Sequence, residues 1–131
     1  MNIFIDASAL VSMLALEEGD EGLADVMDDA EHCLTSSLAI WEATIALSRP
    51  RGRMLDLAIA DISAFVAARG IAIVPIGEKE GAFALDAHRR FGKGRHPAGV
   101  NFGDCFAYAC AKTNNARLLY KGDDFTHTDL A

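Results

Sequence analysis

Three cysteines are too few and too irregularly spaced for a disulfide framework. Cys33, Cys105 and Cys110 form an odd set, and the last two fall in an apolar helical stretch. They read as buried free thiols of a reducing compartment. No C-x-x-C pair or His/Cys cluster argues for structural zinc. The chain also lacks any apolar run near the roughly 18 residues that a membrane span requires. Its first residues, M-N-I-F-I-D, carry no basic n-region and read as a strand rather than a signal peptide, so a cytoplasmic protein with no membrane partner is expected. Internal repeats, low-complexity tracts and domain linkers are missing. So are a G-x-S-x-G elbow, a Gly-rich P-loop and a Rossmann fingerprint, which removes the commonest hydrolase and nucleotide-binding readings.

What is present is a chain of 131 residues that is 51% hydrophobic. That length and composition fit one compact domain over 1–131 with a real core. The net charge of −7 argues at first against nucleic acid. Its distribution softens the argument. Residues 17–31 hold eight of the 19 acids and no Lys or Arg, which leaves 11 acids against 12 bases elsewhere. Most of the acidity is therefore one solvated helix face.

Hydrophobic spacing predicts strands at Asn2–Ile5, Cys33–Thr35, Ala72–Ile76 and Arg117–Tyr120. Helices are expected over Ala7–Leu16, over Gly19–Ala30, from a Ser36 or Ser37 cap to about Leu47, along the Leu55, Ile59, Ile62, Val66 stripe, over Glu78–Phe91, and from an Asn101 cap to near Asn114. Strands alternating with helices call for a parallel sheet joined by right-handed crossovers. Ligands of such sheets bind outside the carboxyl ends of the strands.

Four acidic positions fall near those ends: Asp6, Glu42, Asp104 and the pair Asp123-Asp124. Each has an ordinary explanation. Asp6 can cap a helix, Glu42 can be solvated or ion-paired, Asp104 can complement a helix N-terminus, and Asp123-Asp124 can be turn chemistry. Glu42 lies near the apolar stripe of Leu38, Trp41 and Ile45, and Asp104 lies in a segment apolar almost all round. Buried carboxylates there are costly unless paired or metal-bound. Together the four acids predict one pocket for one or two hard Mg²⁺ or Mn²⁺ ions, whose matching chemistry is phosphodiester hydrolysis. Ser8 is a supporting hydroxyl beside Asp6. A basic cluster, His88, Arg89, Arg90, Lys93, Arg95 and His96 beside Phe91, could follow an RNA backbone. A receiver-like phosphoacceptor, suggested by Lys121, lacks the acid pair such a site needs at the first strand.

The blocks N-I-F-I-D-A-S-A-L, L-A-I-W-E-A, R-R-F-G-K-G-R-H-P-A-G-V-N-F-G-D-C-F-A-Y-A and L-L-Y-K-G-D-D-F-T-H-T-D-L run nearly end to end. In order and spacing they resemble the PIN-domain toxins of the VapC type. The resemblance implies a PIN-like three-layer α/β/α fold around a central, mainly parallel sheet of four to five strands. It implies a Mg²⁺- or Mn²⁺-dependent endoribonuclease, the toxin of a VapBC-type pair, leaving a 5′-phosphate and a 3′-hydroxyl. Its partners would be RNA, a small VapB-type antitoxin that covers the site, and a second copy in a homodimer. It carries the acidic quartet onto Asp6, Glu42, Asp104 and either Asp123 or Asp124, with Asp6 and Asp104 on the main cation and Ser8 and Asn101 as nearby polar groups. The competing expectation is a PIN-like module that binds RNA or protein without cutting.

Overall fold

The computed structural model describes residues 1–48, 54–94, 96 and 98–130. Asn2–Ile5 forms β1 in the interior of a four-stranded sheet. It pairs in parallel with β2 (His32–Thr35) and with β4 (Ala116–Leu119), so that Ile3 lies opposite both Cys33 and Arg117. The short β3 (Ala72–Ile73) adds to the outer side of β2, giving the order β3-β2-β1-β4. All pairings between these strands are parallel, as the alternation of elements requires.

Successive side chains of a strand point to opposite faces, and β1 uses this to bury both. Ile3 and Ile5 enter one core, with Leu10, Met27, Leu47 and Ile62. Phe4 enters the other, with Ala87, Phe91, Tyr108 and Phe125. The first face is covered by α1 (Ala7–Leu14), α2 (Asp20–Asp29), α3 (Ser37–Ser48) and α4 (Leu55–Ala68). The second is covered by α5 (Glu78–Phe91) and α6 (Phe102–Thr113). The result is the expected three-layer α/β/α arrangement. No helix among the described residues is long and apolar enough to cross a membrane.

Several boundaries differ from those read off the sequence. β3 stops at Ile73 rather than Ile76. Val74 N still donates to Thr35 O at 2.9 Å, but Thr35 is the last residue of β2 and the chain then turns into α3, so no strand remains for Pro75 and Ile76 to pair with. The α1 helix ends at Leu14, and Leu16 adopts a left-handed φ of 53° on the surface. Ser36, rather than Ser37, caps α3, its Oγ accepting from Ala39 N at 3.1 Å. The α4 stripe is rotated: Ala58 and Ile62 are its buried residues, while Leu55 and Ile59 are half exposed. On α3 the buried residues are Ala39, Ala43, Thr44 and Leu47, and Trp41 faces outward. Small alanines in both helices permit close packing, which bulky Trp41 and Ile59 would prevent. Burial follows that packing rather than the strongest hydrophobic period.

Candidate active site

The carboxyl edge of β1 delivers Asp6 directly onto the start of α1. Asp6 is buried and is the α1 N-cap, its Oδ2 accepting from Ser8 N at 3.1 Å and from Ser8 Oγ at 2.7 Å. The Ser8 hydroxyl in turn accepts from Lys121 N at 2.9 Å. One side chain therefore ties Asp6 to the turn that follows β4. Burial dominates the Asp6 carboxyl and raises its pKa, against the lowering effect of the Ser8 bonds.

Asp104 enters from the other helical layer. It occupies the third helical position of α6, where Asn101 and Asp104 form a reciprocal capping box. Asn101 N donates to Asp104 Oδ2 at 3.0 Å, and Asp104 N donates to Asn101 Oδ1 at 2.9 Å. Burial pushes the Asp104 carboxyl up to about 7, and the charges of Asp124, Asp6 and Glu42 push the same way. Three other carboxylates thus act on this one group.

Glu42 reaches the site from α3, half-buried, its pKa raised by burial and then by the charge of Asp6. Its carboxylate lies against Gly103, in the space that a Cβ at that position would need. This contact joins the two helical layers over the end of the sheet. Gly103 is absent from the residues singled out by the sequence. The only signal was its place inside N-F-G-D, since a glycine one residue before a helical acid does not announce what approaches it.

The two candidates for a fourth acid lie in the turn after β4. Gly122 takes a left-handed φ of 96°, and Phe125 anchors the turn by burying completely against Tyr120 at 5.0 Å between ring centroids. Between these two points the adjacent aspartates differ. The charge of Asp124 acts on both Asp6 and Asp104. The Asp123 backbone carbonyl instead accepts from Thr126 N at 3.1 Å and Thr126 Oγ1 at 2.8 Å, which serves the turn. Lys121 sends its ammonium to the Glu18 carbonyl, away from any receiver-like geometry. A cavity of ≈ 410 Å³ lies between Ser8, Val11, Glu42, Ala46 and Lys121.

The basic cluster does not act as a unit. Arg90 is engaged structurally: it donates to Tyr108 OH at 3.0 Å, sits 4.7 Å over the Phe91 ring, and pairs with Asp86 and Asp129. Arg89 pairs with Asp86 at 3.1 Å. His96 Nδ1 accepts from Ala98 N, and its ring packs edge-on against Phe91. Lys93 is exposed, and Arg95 lies outside the described residues. The two thiols on α6, Cys105 and Cys110, are buried, and Cys33 is partly so.

The PIN domain family profile matches residues 3–130. The chain is 40% identical to a VapC ribonuclease of Rhizobium meliloti, over 97% of this chain and 98% of that one. It is 40% identical to the ribonuclease VapC of Mycolicibacterium smegmatis, over 97% and 96%. It is 38% identical to the ribonuclease VapC30 of Mycobacterium tuberculosis, over 97% and 95%. In fold it resembles the crystal structure of Mycobacterium tuberculosis VapC20, a sarcin-ricin loop cleaving toxin, with a TM-score of 0.72 at 16% identity over 95% and 92% of the two chains. Matched along almost its whole length by these sequences, the chain belongs to the PIN-domain family and, within it, to the VapC ribonucleases.

Proposed function

We propose that this chain is a metal-dependent endoribonuclease, the toxin of a VapBC-type toxin–antitoxin pair, acting as a single domain in the cytoplasm. One observation carries the reading. Asp6, Glu42 and Asp104 come from three separate elements, yet each carboxyl is raised by burial and by the charge of at least one other site acid. Evolution of an inert fold gains nothing from such an arrangement, whereas a cation placed among the acids would offset both costs.

The donor set is all oxygen, which suits Mg²⁺ or Mn²⁺ and not a thiolate-seeking metal. Among the described residues no group of three or more His, Cys, Asp or Glu side chains is arranged to hold an ion together. Mg²⁺ does not require three: it commonly uses one or two carboxylates, with waters and substrate phosphate completing its octahedron. Asp6 and Asp104 are the pair we assign to it. Both are held in place beforehand, one by Ser8 and the other by Asn101. When bound, the ion supplies Lewis-acid stabilisation of charge on the scissile phosphoryl group and lowers the pKa of water. Glu42, half-buried with a raised pKa, is suited to take the proton of the attacking water. Asp124 is our choice for the fourth acid, closing the pocket from its exposed side.

Two partner readings accompany the nuclease. Lys93 and Arg89 are exposed cations on the α5 side for the RNA backbone. On the opposite layer, a groove of ≈ 840 Å³ between α3 and α4 exposes Trp41, Leu55, Ile59 and Ile73, which supports a protein contact with the antitoxin or a second copy.

The test is digestion of total cellular RNA by purified, antitoxin-free protein with Mg²⁺ or Mn²⁺, alongside EDTA and Asp6→Asn controls. Discrete fragments with 5′-phosphate ends, absent from both controls, are expected. RNA binding without any metal-dependent turnover would transfer the assignment to the non-cleaving module.

A further inference from the structure

Phe102, the first residue of α6, leaves 68% of its surface in water. Its ring is nevertheless held, edge-to-face on Phe106 one turn along, with centroids 5.3 Å apart. A ring fixed in advance loses little conformational freedom on meeting a partner. Phe102 lines a groove of ≈ 450 Å³ between α5 and α6, together with Leu85, His88, Lys93 and Asn101. Leu85 is 70% exposed, so the apolar floor is open to solvent.

Two features say what this floor is for. The first is charge. Lys93 is exposed at the rim and has no ion pair among the described residues, whereas the neighbouring Arg89 and Arg90 both pair with Asp86. An apolar floor with a free cation and the exposed His88 at its edge suits an anionic chain with flat apolar groups better than an apolar peptide. The second is continuity. Asn101 lines this groove and also caps Asp104, so the groove and the acidic pocket share a wall. Positions two apart on a helix differ by about 200°, so Phe102 and Asp104 serve opposite sides of the same helix start. A strand that crosses the α6 N-terminus at Asn101 would therefore meet Asp104 on one side and Phe102 on the other, so a base on Phe102 flanks the acidic pocket instead of entering it.

We propose that Phe102 is a stacking platform for a base of single-stranded RNA beside the acidic pocket, with Lys93 taking an adjacent phosphate. The inference rests on the ribonuclease reading for its substrate class. It adds a residue that touches substrate without touching the reacting atoms.

The experiment measures binding of a fluorescein-labelled, single-stranded RNA of mixed sequence, about 12 nucleotides long, within the usual range of single-stranded site sizes. The full chain is used in EDTA so that no cleavage intervenes. Phe102→Ala should weaken binding about ten-fold, and Phe102→Trp should restore it or tighten it, since base stacking tolerates any large aromatic. An abasic oligomer of the same length should bind both the wild type and Phe102→Ala weakly and equally. Circular dichroism of both variants checks that the exposed position leaves the fold intact. No binding by the wild type, or equal binding of the base-bearing RNA by wild type and Phe102→Ala, overturns the proposal. So does loss of self-association in Phe102→Ala with RNA binding unchanged, which would make the groove a protein contact. The nuclease reading fails separately: a wild type that binds RNA through Phe102 yet cuts nothing with Mg²⁺ or Mn²⁺ refutes the enzyme and supports the platform.

Discussion

The carboxylate of Glu42 occupies the space in which a side chain at Gly103 would begin. Gly103→Ala therefore forces one of the two to move. Glu42 presents the far end of a flexible side chain, so it yields and the backbone stays. Alanine also suits a helix better than glycine, by about 1 kcal/mol. The variant should be as stable as the wild type or more so in urea unfolding, while its RNA turnover falls on the order of ten-fold or more. Unchanged turnover would remove the Glu42 position from the chemistry.

The metal-free protein should lose stability as pH rises. Asp104 has its pKa raised from 3.8 to about 7 in the fold, and Asp6 and Glu42 are raised too. The folded state then binds more protons than the unfolded chain, so stability declines as pH rises above about 4, and the Asp104 share of the loss is complete once its carboxyl has ionised, near pH 7. Glu31, Glu80 and Asp129, whose pKa values are lowered, act oppositely, but at lower pH than this window. Melting midpoints in EDTA at pH 5 and pH 8 should differ by a few degrees, roughly, with the lower value at pH 8. Mg²⁺ should restore more at pH 8, and Asp104→Asn should flatten the slope. A midpoint that climbs from pH 5 to pH 8 in EDTA would contradict the electrostatic account.

The adjacent aspartates should be separable by charge removal. Asp124 acts on Asp6 and Asp104, whereas Asp123 contributes a carbonyl to the turn. Asp124→Asn should reduce cleavage about ten-fold or more and weaken the pH dependence of stability. Asp123→Asn keeps the carbonyl and should stay within about two-fold of wild type in kcat/KM. The reverse ranking would assign the fourth acid to Asp123.

Ser8 should affect both stability and activity. Its hydroxyl donates to Asp6 and accepts from Lys121 N, so Ser8→Ala leaves both groups short of a partner. A stability cost of about 1–2 kcal/mol is expected from chemical denaturation. Activity should fall as well, because the turn that carries Asp124 is released from the start of α1. Full activity in a destabilised Ser8→Ala protein would reduce Ser8 to a structural link between Asp6 and the turn after β4.

Much of the candidate site's local geometry was legible from local rules. Asp6 follows a β-branched and aromatic run and precedes a helix, and Asn101 with Asp104 has the spacing of a capping box. Those patterns depend on residues a few positions apart, so the chain order contains them. The basic cluster was less readable. Arg89 and Arg90 are as basic in sequence as Lys93, yet Asp86, Tyr108 and Asp129 engage them, and the last two are remote in the chain. Counting charges cannot reveal which are already paired.

Taken alone, the sequence determined the α/β alternation, the parallel sheet, the acids at the strand ends and the family. These follow from hydrophobic period, caps and motif spacing, all of which are short-range. Tertiary structure decided which face of α4 is buried, that β3 ends at Ile73, that the charge of Asp124 acts on Asp6 and Asp104, and that Gly103 makes room for Glu42. Each of these depends on two elements meeting across the sheet. Steric fit and charge interaction act through space, between groups whose separation along the chain places no limit on how closely they approach.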